Sequence, residues 1–180
     1  MMGSLSQQQI EAAQEFVETT IETLKTERGV HAETAVAGTA RMAGTFLFRS
    51  FNFPLKDAKP GQPVLSDQAN EQGSRLIQIL GGVLEHAGIK LDKEQLGKTS
   101  GAENQPLLSF LETQKRLEPK YSAINTRLGL SLQDAADSAA VATALLIQQC
   151  AQILDPNIAF GIAVYGFIEG SKTVPESTTQ

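Results

Sequence analysis

The chain has 180 residues and carries 15 Lys and Arg against 20 Asp and Glu, a formal net charge of −5. Hydrophobic residues at 41% and charged residues at 19% are ordinary for one globular domain with a sizeable core. The acidic balance and scattered cations exclude a phosphate-tracking face for nucleic acid, and the single cysteine excludes an intrachain disulfide framework.

Residues 6–28 predict a first helix, capped by Ser6 or Ser4, with Ile10, Ala13, Val17, Ile21 and Leu24 as its core stripe. Glu11, Glu15, Glu18 and Glu22 form a second, acidic stripe that reads as a solvated face. The start of the chain shows no basic stretch followed by an apolar one, so the expected compartment is the cytoplasm. Gly29 is placed to end this helix in the left-handed conformation.

His31-Ala32-Glu33 then matches the His-x-Glu that opens the zinc site of nucleobase deaminases. A catalytic zinc needs three protein ligands and an open position, and the downstream Pro-Cys-x-x-Cys is missing. Cys150 stands alone in "LLIQQCAQIL", and His86 is the only other histidine. The expectation is therefore no metal site and no cofactor, with His31 and Glu33 in an exposed first helical turn.

Residues 32–50 predict a second helix whose first half is nearly all small, including Ala35, Ala37, Gly38, Ala40, Ala43 and Gly44. Gly costs about 1 kcal/mol relative to Ala inside a helix, so such a run makes sense where another helix must come close. Arg41 and Arg49 are its only cations, eight apart and roughly on one face. Residues 52–65, with Pro54, Pro60 and Pro63, break the helical pattern into a long loop.

Ser66 caps a third helix, expected over residues 66–87, and Gly88-Ile89 resembles a Schellman ending. Residues 92–96 suit one short turn, stopped by Gly97. The "GKTS" beginning there lacks the strand and glycine spacing of a phosphate loop. A fourth helix is expected over residues 105–117, with Leu107, Leu108, Phe110 and Leu111 inside. Pro119 is expected to open a separate segment reaching Leu128.

Ser131 starts the most apolar helix, residues 132–154, where "AAVATALLI" holds one polar residue, Thr143. A last helix over residues 157–169 contains "IAFGIAVYGFI". Those eleven residues span about 16 Å, short of a ~30 Å bilayer core, so no membrane partner is expected. A helix apolar around its whole circumference is expected to be buried on all sides.

The resulting expectation is an all-α single domain over residues 1–170, a bundle of about six or seven helices around a central apolar C-terminal pair, with a flexible tail over residues 171–180. Two functions compete. One is a non-enzymatic interaction protein that self-associates as a homodimer through its C-terminal helices. The other is a small-ligand binder or enzyme with a polar site between helices at Arg49, Asn70 and Glu71, where the planar fork of Arg49 suits a carboxylate or phosphate.

Overall fold

The structure, a computed structural model, describes residues 4–96 and 104–177. The Gly97 stop and the "GKTS" reading lie outside the described residues. Among the described residues there are six α-helices and no strands: α1 Gln7–Leu24, α2 Ala32–Ser50, α3 Asp67–His86, α4 Phe110–Leu128, α5 Leu132–Gln149 and α6 Pro156–Ser171.

Hydroxyl and carboxylate caps define most of the starts. Ser6 and Ser109 each accept from the third helical amide, while Gln9 and Glu112 reach back to the cap amide, completing two capping boxes. Ser66 and Ser131 accept from Ala69 and Asp134, and Asp155 caps α6 ahead of Pro156. Gly88, at φ 79°, ends α3 in the expected Schellman geometry, with the Ile89 amide donating to the Leu84 carbonyl at 3.0 Å.

α2 is the hub. Its most extensive contacts are with α6 and then with α5, whereas α5 and α6 touch each other only marginally. Both C-terminal apolar helices thus belong to the core, joined through α2. The small residues account for this. A Cβ on Gly44 would sit 2.6 Å from the Phe167 carbonyl oxygen, and one on Gly170 would sit 2.4 Å from the Arg41 carbonyl oxygen. Backbone meets backbone there, as the small-residue run on α2 predicts. On the α5 side the one polar residue of "AAVATALLI", Thr143, donates to the Ala139 carbonyl at 2.7 Å, with Thr39 Oγ1 2.9 Å away, whereas the Ser138 and Thr45 hydroxyls are enclosed without a partner among the described residues.

Four sequence expectations are corrected. Ile10 is 40% exposed, and Phe16 takes the place expected of it, stacked on Tyr121 with ring centroids 4.2 Å apart. α4 is one helix running through Pro119, because Leu117, Tyr121 and Ile124 continue a single buried stripe across the proline. The cost is one carbonyl, that of exposed Lys115, which water can satisfy. α4 also begins at Phe110 and not at 105, since Ser109 is the residue with the capping side chain; Leu107, expected inside, is 72% exposed. Finally, residues 171–177 do not fray. Ser171 closes α6, and the Val64 amide donates to the Lys172 carbonyl at 2.7 Å. Gln62 and Gly61 exchange bonds with Val174, whose side chain is buried. The proline-rich loop after α2 is thereby stitched to the end of the chain.

Candidate ligand-binding site

Helix α6 reads as apolar all round, yet only one of its faces is buried. Ala159, Ala163, Gly166, Phe167 and Gly170 recur at helical spacing and pack on α2. A neighbouring face, Ile158, Gly161, Ile162, Tyr165 and Glu169, has no helix covering it among the described residues. It forms one wall of a half-open cavity of about 580 Å³. The opposite wall comes from Ala37 and Arg41 of α2, and the rim from Leu96 and residues 104–106. The volume lies within the range of small-molecule sites, and the lining mixes apolar groups with the polar side chains of Arg41, Asn104, Gln105, Asn157 and Glu169.

Arg41 is the most deeply placed of those polar groups, 7% exposed. Its Nε donates to Glu169 Oε1 at 2.5 Å, and Nη1 donates to the Leu108 carbonyl at 2.8 Å and to Thr113 Oγ1 at 3.0 Å. Two turns earlier on α2, Thr34 Oγ1 accepts the Leu107 amide at 2.9 Å. α2 therefore grips two consecutive residues, Leu107 and Leu108, just after the rim segment.

The His-x-Glu stretch is part of that grip. His31 precedes the first residue of α2, its Nδ1 lies 2.7 Å from Thr34 Oγ1, and its Nε2 lies 3.2 Å from Glu33 Oε2. The Thr34 hydroxyl thus serves the Leu107 amide and the His31 ring together, and the other ring nitrogen faces Glu33. Among the described residues, no three His, Cys, Asp or Glu side chains gather where they could hold a metal ion.

The three residues singled out from sequence lie apart from this cavity. Arg49 forms a two-pronged pair with the buried Glu118, Nε to Oε1 at 2.5 Å and Nη2 to Oε2 at 3.2 Å, and Nη2 also donates to the Glu176 carbonyl. Gln114 completes that cluster by donating to Glu118 and accepting the Glu176 amide. A second cavity of about 180 Å³ includes Arg49 with Phe48, Asn52, Phe53, Leu55 and Pro175. Asn70 is exposed and accepts from Lys172 Nζ at 2.8 Å; Glu71 is exposed. Neither Asn70 nor Glu71 lines either cavity, and no hydrogen bond or ion pair joins the three among the described residues.

Two further groups have perturbed acidity. Burial, helped by the charge of Glu33, pushes the half-buried Cys150 thiol up, so it stays protonated and poorly nucleophilic at neutral pH. Burial also raises the Asp137 carboxyl, against the opposing pull of Arg75, whose Nη2 donates to Asp137 Oδ2 at 2.5 Å. Asp137 Oδ1 is enclosed and has no partner among the described residues.

Sequence reasoning missed Arg41 and Glu169 as a site. The available signal was the amphipathic spacing of Glu169 with Ile158, Ile162 and Tyr165, hidden because the rest of α6 is apolar too. Among the described residues no single helix is long and apolar enough to cross a membrane. Comparison with protein-family models, with curated proteins and with solved structures finds nothing that matches this chain.

Proposed function

We propose that this protein binds a small amphipathic molecule in the cavity between α2 and α6, as a binding protein and not as an enzyme. The observation that carries the reading is the cavity itself: an unpacked apolar face of a core helix, opposite a buried arginine held by three acceptors. Preorganisation of this kind favours binding, because the polar group is fixed before the ligand arrives. The reading without chemistry is supported by the raised Cys150 thiol, which stays protonated, and by the engagement of His31 with Thr34 and Glu33.

Gly161 provides the test. It lines the cavity, and a Cβ built there meets nothing within 4 Å, so Gly161→Leu fills the space without crowding the core. A fragment library screened by saturation-transfer NMR is expected to give binders to the unaltered protein that Gly161→Leu loses. A library without binders, or binders indifferent to that substitution, refutes the reading.

A second reading, self-association as a homodimer, is favoured by the outer surface of the same helix. Tyr165 is 65% exposed and Ile168 45% exposed, large apolar groups on a helix whose buried face packs on α2. Light scattering is expected to give twice the chain mass, and Ile168→Glu to return it to one.

A further inference from the structure

Resting on the ligand-binding reading above, we propose that the cavity selects an uncharged head group that offers a hydrogen-bond acceptor and a donor together, a primary carboxamide being the simplest, carried on an apolar body. Charge narrows the choice first. Among the described residues the lining holds one cation, Arg41, and one anion, Glu169, and the two already face each other at 2.5 Å. A carboxylate drawn to Arg41 meets the carboxylate of Glu169 in the same poorly solvated wall, and an ammonium drawn to Glu169 meets the guanidinium. A neutral group avoids both penalties.

Hydrogen-bonding capacity narrows it further. Nε and Nη1 of Arg41 are occupied by Glu169, Leu108 and Thr113. Nη2 has no hydrogen bond among the described residues, and Arg41 lines the cavity, so its N–H groups are the donors left for a ligand. Glu169 Oε2 has no hydrogen bond among them either and is the acceptor left. The wall therefore presents one donor nitrogen and one acceptor oxygen on two side chains already in contact. A carboxamide answers both, its carbonyl to Nη2 and its NH₂ to Oε2. Ala37, Ile158, Ile162 and Tyr165 supply the apolar surface for the rest of the molecule.

The test uses three probes on one body: 3-phenylpropanamide, 3-phenylpropanoate and 3-phenylpropylamine, titrated by ligand-observed NMR and calorimetry. The amide is expected to bind about tenfold more tightly than either charged probe, the difference that one well-formed hydrogen bond to a charged group supplies. Gly161→Leu is expected to abolish that binding. Glu169→Gln keeps the shape but leaves the wall net positive, and is expected to turn the preference toward 3-phenylpropanoate. If Glu169→Gln fails to fold, the ranking on the unaltered protein and its loss in Gly161→Leu decide alone. Equal binding of all three probes, or a preference for a charged one, overturns the head-group assignment; if Gly161→Leu still abolishes that binding, the cavity reading survives. Absence of amide binding overturns the assignment too, while the fragment screen decides the cavity reading separately.

Discussion

Replacing Gly170 by alanine should weaken the fold although alanine is the better helix former. A Cβ at Gly170 would lie 2.4 Å from the Arg41 carbonyl oxygen, 2.8 Å from the Thr45 amide nitrogen and 2.9 Å from the Gly44 Cα. All three are backbone atoms, so no side-chain rotation can make room. Ordinary contact needs ~3.5 Å, and α6 must therefore back away from α2 by about 1 Å. Overpacking of this kind costs about 1–3 kcal/mol, with backbone clashes at the upper end. The helix-propensity gain returns about 1 kcal/mol, leaving a net loss of about 2 kcal/mol. For a chain of this size that lowers Tm by about 4–8 °C. The control is Gly81→Ala in the middle of α3, where a Cβ meets nothing within 4 Å; it should raise Tm by up to about 4 °C. Thermal unfolding followed by circular dichroism reads both. If the two variants shift Tm in the same direction, the α2–α6 contact is looser than the geometry demands and the steric reasoning fails.

Arg49→Gln should strip Glu118 of its paired charge and release the Glu176 carbonyl, at a cost of about 3 kcal/mol, and should expose the C-terminal segment to carboxypeptidase; a digestion rate equal to that of the unaltered protein would contradict the clasp. Asp137 holds its proton to higher pH in the folded chain than in the unfolded one, so its contribution is most favourable at low pH and is lost as pH rises through the raised value. Asp137→Asn should therefore gain stability relative to the unaltered protein as pH climbs from about 4 toward neutrality, and urea titrations across that range would expose the opposite trend. Ala163→Glu should place an unpaired charge in a fully buried position between α6 and α2 and unfold a domain of ordinary stability; a cooperative melt within a few degrees of the unaltered protein would contradict the packing.

Most of the helices were legible because they carry their own punctuation. Ser66, Ser131 and Gly88 are local signals, and local signals survive folding. What escaped was decided by partners far away in sequence. Phe16 is buried instead of Ile10 because Tyr121 offers it a ring to stack on, and helical spacing alone cannot rank two faces that differ by one aromatic. Pro119 sits inside α4 because the stripe of Leu117 and Tyr121 outweighs one lost backbone bond. The cavity was hidden for a related reason. An apolar face that lines an opening has the same composition as one that packs on a neighbour, so "IAFGIAVYGFI" read as wholly interior. Arg49 drew attention as an exposed fork for an anion, and the anion is the chain's own Glu118.

The pairing of α2 with α6 also sets the order in which the molecule can assemble. Arg41 and Glu169 are 128 residues apart, and the tight backbone approach at Gly44 and Gly170 lies beside them. During synthesis at ~5–20 residues per second, α2 waits many seconds with its small-residue face uncovered before α6 emerges. Contacts of such long range slow folding, because the loop between them must close before they contribute. α1, α4 and α5 can dock on α2 in that interval, but the groove kept open by Ala37, Gly44 and their neighbours fits only a helix equally bare. A chain stopped before α6 should thus be an aggregation-prone intermediate and not a smaller version of the same fold.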